Sequence, residues 1–390
     1  MEIKPEIEAV AKIKVIGVGG SGGSAVNRMI ASRIQGVEFL AANTDAQALH
    51  MSQAPVRIHI GKDITKGLGA GMNPEMGAKA AEEAQNEIRD ALQGANMVFI
   101  TCGLGGGTGT GAAPIIAELA KDIGALTVAV VTKPFSFEGN ARRQIAEDGW
   151  QKLASKVDSI ITVSNDKILQ IVDKKTPIKE AFYMADEILQ QGVRGVSEVI
   201  TKVGDVNVDF ADVKRIMANT GSAIMGIGHG TGDNRTAEAA KMAISSPLLD
   251  HSIDGARAIL FTVTGGSDLG MLEVSEAAKI ITSQADSDAT VIFGVQVDEE
   301  MGEEVRVTVI ATGFDYRDKI IKEPAVIDKG INTRPSFGVG GSIFNPPFPR
   351  TVAAKPIMRP QEKRPIEESF EPTENDDELE IPAFIRKKMN

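Results

Sequence analysis

Residues 103–111 read Gly-Leu-Gly-Gly-Gly-Thr-Gly-Thr-Gly, and six glycines in nine positions remove the side chains that keep a backbone from wrapping a polyanion. The run follows an apolar stretch at 97–100 and precedes Ala112, Ala113, Pro114 and a periodic apolar segment. That order predicts strand, loop and helix N-terminus in succession. Unpaired backbone N–H groups and the positive end of the helix dipole converge on an anion there, with Thr108 and Thr110 as further donors. A flexible linker is the alternative, but linkers are not set between a buried strand and a helix.

Apolar segments at 13–18, 38–42, 97–100, 126–131 and 159–163 alternate with helical stretches. This predicts an α/β fold with a doubly wound, mostly parallel sheet, whose phosphate ligands bind at the carboxyl ends of the strands. A helical pattern from 177 to 203 carries Phe182, Ala185, Leu189, Val193, Val196 and Ile200 on one stripe. At 1.5 Å per residue it spans about 40 Å, enough to link two domains. Residues 204–315 combine two or three helices with strand-like runs at 258–263, 290–297 and 305–312. A smaller α+β domain with a mixed or antiparallel sheet is expected there.

Past residue 315 the pattern collapses, and ten of the 17 prolines lie beyond it. The expected division is an N-terminal extension (1–11), a nucleotide-binding domain (12–176), a central helix (177–203), a second domain (204–315), a disordered linker (316–375) and a terminal peptide (376–390). That peptide places Leu379, Ile381, Phe384 and Ile385 between acids at 376–380 and bases at 386–388. A short apolar stripe between opposite charges on a tether resembles a docking peptide that folds on a partner. The plainer reading is a frayed tail with a few apolar residues.

With 390 residues, 42% hydrophobic and 24% charged, the chain can build two proper cores. Its formal charge of -11 argues against general affinity for nucleic acid or an anionic membrane, so an anionic ligand must be held by local geometry. The lone cysteine, Cys102, excludes an internal disulfide framework and suits a reducing compartment. It has no Cys/His arrangement around it and reads as a small buried residue. The four histidines lack metal-ligand spacing, so no protein metal site is expected. No apolar run approaches the roughly 18 residues of a membrane span, and the acidic N-terminus is not a signal peptide, so a cytoplasmic protein without membrane insertion is expected.

A second glycine loop, Gly17-Val18-Gly19-Gly20-Ser21-Gly22-Gly23-Ser24, also follows a strand and opens a helix. Gly17, Gly19 and Gly22 satisfy G-x-G-x-x-G, and Asp45 lies 23 residues beyond Gly22, so an NAD-linked oxidoreductase is one reading. It leaves the richer loop at 103–111 unused. Two loops aimed at anions fit a triphosphate better. The lysine-bearing P-loop signature and the protein-kinase motifs are absent.

The combination of V-I-G-V-G-G (15–20), N-T-D (43–45), G-G-G-T-G-T-G (105–111), P-F-S-F-E-G (134–139) and N-V-D-F-A-D-V (207–213) resembles the FtsZ family, bacterial cell-division GTPases related to tubulin. The resemblance covers nearly all of residues 10–315, and E-I-P-A-F-I-R (380–386) is similar to the family's partner-binding peptide. It implies a tubulin-like fold, a GTP/GDP site, and Mg²⁺, with a monovalent cation, as cofactors.

By that resemblance Gly20, Ser21, Gly22, Gly23, Ser24, Gly107, Thr108 and Gly109 hold phosphates, with Thr108 near the terminal one. Gly103, Gly106, Asn43, Asp45, Thr132 and Pro134 belong to the same nucleotide site. Ala70 and Gly71 lie in the segment that senses the γ-phosphate. Glu138 and Arg142 match contacts to ribose and phosphate. Asn165 and Asp186 match the guanine readers, with Phe182 stacking on the base. A carboxylate can accept from guanine N1–H and N2–H, which adenine lacks; losing such a pair costs roughly 1.5–3 kcal/mol.

Asp209 and Asp212 stand three apart at a predicted helix start, with Asn207 just upstream. An N-cap role accounts for Asp209 and leaves Asp212 free. The resemblance implies that these three residues enter the nucleotide site of the next subunit and polarise the attacking water. Catalysis would then exist only at a head-to-tail junction, which does not close on itself and gives an open filament. The resemblance further implies a mid-cell division ring, and membrane adaptors and regulatory division proteins bound through Leu379, Ile381, Pro382, Phe384, Ile385 and Arg386. Ser21, Ser24 and Asp205 depart from the family's usual residues, which points to altered nucleotide affinity and hydrolysis rate. A nucleotide-binding polymer scaffold with little hydrolysis is the alternative, which the retained Asp209 and Asp212 oppose.

Overall fold

The described residues form ten strands and twelve helices, and the expected β/α alternation holds in the first half apart from the consecutive helices α3 to α5. The computed structural model describes residues 11–314 apart from 171, 173–174, 202–203, 205 and 247–251. The expected linker and terminal peptide, with Leu379, Ile381, Pro382, Phe384, Ile385 and Arg386, lie outside the described residues. The first half runs β1 (Ile13–Val18), α1 (Gly19–Ala31), β2 (Val37–Asn43), α2 (Ala46–His50), β3 (Val56–His59), α3 (Lys62–Thr65), α4 (Pro74–Glu83), α5 (Gln85–Leu92), β4 (Met97–Gly103) and α6 (Thr108–Asp122). Next come β5 (Leu126–Lys133), α7 (Asn140–Ala154), β6 (Ser159–Ser164), α8 (Asn165–Ile168) and α9 (Ile178–Thr201). The chain continues with α10 (Phe210–Met217), β7 (Gly221–Gly230), α11 (Arg235–Ile244), β8 (Ala258–Gly265), α12 (Met271–Thr282), β9 (Thr290–Val297) and β10 (Val305–Thr312).

All ten strands join one sheet in the order β3-β2-β1-β4-β5-β6-β7-β10-β8-β9. Every pair is parallel except the two made by β10, which runs antiparallel to β7 and β8. The mixed sheet expected after residue 204 is therefore present. It is continuous with the first half through the parallel pairing of Ser159, Ile160 and Ile161 with Gly221, Ser222 and Ala223.

Strands buried on both faces read as continuous apolar runs, and β4 explains why its segment is so uniform. Val98, Ile100 and Cys102 join the layer containing α6, whereas Met97 and Phe99 join the layer containing α9. On the second side Leu189, Val193 and Val196 of α9 are fully buried beside residues of β5, β6, β8 and β10. Burying each such side chain is worth about 1.5–3 kcal/mol. That packing fixes the long helix across the sheet, as its apolar stripe predicts. Among the described residues no helix is long and apolar enough to cross a membrane.

The sequence reading missed β7, because glycine weakens a strand signal. Gly226, Gly228 and Gly230 share one face of β7. A Cβ at each would collide with the backbone carbonyl of Ala243, Ala239 and Arg235 respectively. Those three lie on one ridge of α11, so the glycines let that helix settle directly on the strand. The β3 strand was also missed; at four residues on the sheet edge it carries little pattern.

Candidate nucleotide site

Both glycine loops lie at the carboxyl ends of neighbouring parallel strands, β1 and β4, paired through Gly17 and Thr101. Gly17 and Gly22 pack against each other, and a Cβ on Gly22 would also strike the Thr101 carbonyl. These glycines let α1 approach the sheet, which accounts for Gly17 and Gly22 of the fingerprint without a dinucleotide. Gly19 has φ +74° and comes close to Gly109, so the two loops touch.

Neither α1 nor α6 has a side-chain N-cap or an acidic residue in its first turn. By contrast, Asp45, Asn73 and Asp209 cap α2, α4 and α10. The first N–H groups of α1 and α6 are thus left for an anion. Thr108 Oγ1 lies 2.6 Å from Thr44 Oγ1 at the start of α6. The hydroxyl of Thr110 instead accepts from Gly105 N at 2.9 Å and holds the loop closed.

The loops open on a cleft of about 390 Å³. Gly20, Ser21, Ser24, Gly103, Gly106, Gly107, Thr108 and Gly109 line its phosphate-like end. Thr132 and Pro134 follow from the end of β5, where Thr132 pairs with Gly103. Glu138 accepts from Phe135 N at 2.9 Å and pairs with Arg142, forming a side wall. The far end holds Asn165, Phe182 and Asp186. Asn165 Oδ1 is buried without a hydrogen-bond partner among the described residues, an acceptor awaiting a donor. The Phe182 ring is 42% exposed and stands edge-on to Phe135 at 5.4 Å. Burial raises the Asp186 carboxyl above the usual carboxylate range, opposed by Arg28, whose Nε lies 2.9 Å away.

Six expected residues sit behind or beside this lining. Gly22 is a buried residue of α1, and Gly23 is in the same helix with open space at its Cβ position. Asn43 is buried and accepts from Asp45 N at 3.2 Å, while Asp45 caps α2 through Gln47 N and Ala48 N. Ala70 is buried against Gly107, and Gly71 follows in an exposed turn with φ +55°. The sequence reading missed Leu104 and Gly19, which line the cleft, and Arg28, which sits behind it. The glycine loops carried the signal for the first two; nothing in the spacing of Arg28 does.

Asn207, Asp209 and Asp212 do not line the cleft. Asp209 Oδ1 accepts from Asp212 N at 2.7 Å, and Asn207 Oδ1 accepts from Gly204 N at 2.6 Å. Asn207 and Asp209 are exposed and Asp212 is half-buried. They follow the C-terminus of α9, whereas Phe182 and Asp186 are near its N-terminus. From Phe182 to Thr201 the helix rises about 28 Å, so the two groups stand at opposite ends of a rigid rod.

Residues 12–173 match the tubulin/FtsZ family GTPase domain, and residues 221–315 match the FtsZ family C-terminal domain. An empty FtsZ dimer from M. jannaschii is 47% identical over 80% of this chain and 90% of that chain, with a TM-score of 0.76. This chain belongs to the tubulin/FtsZ family. A tryptophan-to-tyrosine mutant of M. jannaschii FtsZ is 48% identical over 78% of this chain and 91% of that one, with a TM-score of 0.74. CetZ2 from Haloferax volcanii, a GTPγS-bound protofilament, is 21% identical over 79% of this chain and 96% of that one. Its TM-score of 0.68 shows a shared fold. The protein is a tubulin-like GTPase of the FtsZ type, and its GTPase domain implies a GTP site.

Proposed function

We propose that this FtsZ-family GTPase, a protofilament-forming protein of cell division, hydrolyses GTP only where the cleft of one subunit meets Asn207, Asp209 and Asp212 of the next. The observation that carries this reading is the separation of the two groups by the length of α9, a helix packed along its apolar stripe. The uncapped starts of α1 and α6 support phosphate binding there. The acceptors Asn165 and Asp186 at the other end support guanine recognition.

In this reading Gly20, Ser21 and Ser24, with Gly107 to Gly109, bind the phosphates through backbone N–H groups and hydroxyls. The loop of Ala70 and Gly71, lying against Gly107, responds to the terminal phosphate. Asp212 and Asp209 of the adjoining subunit orient the attacking water and accept its proton in an environment shielded from solvent. Among the described residues no three His, Cys, Asp or Glu side chains converge as a metal site. Mg²⁺ takes phosphate and water oxygens with few protein ligands, a demand that the Thr108 hydroxyl, which lines the cleft beside the phosphate loop, fits. When bound it neutralises phosphate charge. A monovalent cation, cytoplasmic action at a mid-cell ring and adaptor docking through the terminal peptide complete the proposal.

The test is complementation between two defective chains, at a GTP concentration too low to fill the weakened cleft of one of them. An Asp212→Ala chain keeps a sound cleft, and an Asp186→Ala chain keeps the water-polarising loop. Mixed, they should recover hydrolysis, up to about a quarter of the wild-type rate for random head-to-tail assembly. A mixture no more active than the sum of its parts would refute the shared site.

A further inference from the structure

Arg28 lies on α1 below the phosphate loop and reaches across to α9. Its Nε donates to Asp186 Oδ2 at 2.9 Å, and its guanidinium lies over the Tyr183 ring, 3.7 Å from the centroid. The two side chains are 28% and 14% exposed, so water competes little for the pair. A planar guanidinium held between an aromatic face and a carboxylate has little freedom left, and it fixes the carboxylate in turn. Arg28 takes Oδ2 and leaves Oδ1 without a hydrogen-bond partner among the described residues, while Asp186 lines the cleft.

We infer that Arg28 is the positioning residue that sets base specificity, presenting Asp186 as an ionised carboxylate at a fixed angle to the N–H edge of guanine. This rests on Asp186 being a base reader, as proposed above. Guanine offers N1–H and N2–H to a carboxylate, hypoxanthine offers N1–H only, and adenine offers neither. Burial works against the charged form of Asp186 and Arg28 works for it. An apolar residue at 28 would remove both the charge support and the clamp. The ring of Tyr183 would lose its stacking partner as well, next to Phe182 at the base end of the cleft.

The experiment titrates the full chain, freed of nucleotide, with GDP, IDP and ADP by calorimetry. Arg28→Met should weaken GDP about tenfold while leaving ADP unchanged, so that the preference among the three bases collapses. Arg28→Lys keeps the cation without the planar clamp and should recover only part of that preference. Equal losses for all three diphosphates, or an unchanged GDP-to-ADP ratio, would overturn the inference and leave Arg28 a brace between α1 and α9. Asp186→Ala runs alongside. If that variant leaves the ratio intact, the base-reader assignment fails; if it collapses the ratio and Arg28→Met does not, only the inference about Arg28 fails.

Discussion

Replacing Gly111 by alanine should destabilise the protein although alanine is the better helix former. Gly111 stands near the start of α6 where that helix crosses α4. A Cβ there would collide with the Pro74 carbonyl oxygen, and would lie 2.7 Å from Ala78 N and 2.8 Å from the Pro74 carbonyl carbon. All three are backbone atoms, so no side chain can swing aside and the helices must part. Overpacking of this kind costs about 3 kcal/mol at the upper end of its usual range. Alanine's helix propensity returns about 1 kcal/mol. The net loss of about 2 kcal/mol corresponds to a fall in Tm of about 3 °C for a folded region of this size. Parting α4 from α6 also draws Ala70 away from Gly107, so GTP should bind more weakly. Thermal unfolding followed by circular dichroism, without nucleotide and then with a slowly hydrolysed GTP analogue, reads both effects. Gly23→Ala is the control, because nothing lies within 4 Å of its Cβ position in α1, and its Tm without nucleotide should rise. A Gly111→Ala protein as stable as that control would refute the close-packing argument.

Burial pushes the Cys102 thiol up to about 12, so the unfolded chain loses that proton first as pH rises above about 9. The stability due to the neutral thiol is whole below pH 9 and declines above it; urea melts at pH 8 and 10 should show this, and Cys102→Ala should remove that component. The native thiol should also resist iodoacetamide until the protein unfolds. Asp209 has two separable roles, so Asp209→Asn should keep the cap of α10 and its Tm while losing hydrolysis, whereas Asp209→Ala should lose about 1 kcal/mol of stability as well.

Much of this architecture is legible in the sequence because both layers of the sheet are packed. Strand β4 opens on an unbroken apolar run, β1, β5 and β6 are broken within theirs only by Lys14, Thr127 and Thr162, and α9 carries its stripe over 24 residues. The phosphate loops are legible because glycine is required twice over, for close backbone approach and for uncovered helix starts. What was hidden depends on partners distant in the chain. Gly226, Gly228 and Gly230 look like a loop until α11 is seated on them. Gly22 reads as a phosphate-loop glycine, and its close packing under the Thr101 carbonyl shows only in the fold. Arg28 is an unremarked base on a helix until Asp186, 158 residues away, comes into reach. Asn43 and Asp45 show the reverse, since their local hydrogen bonds explain the motif through the turn into α2.

The central claim is that the catalytic site spans two subunits. Steady-state GTP hydrolysis should therefore be measured against protein concentration, with sedimentation alongside, for the wild type and for Asp212→Ala. Activity and pelleting should share one threshold concentration in the wild type. Asp212→Ala should still pellet while its turnover falls by about 10²-fold or more. Hydrolysis proportional to protein with no threshold, or full turnover by Asp212→Ala, would mean that each subunit carries a complete site and would contradict the account.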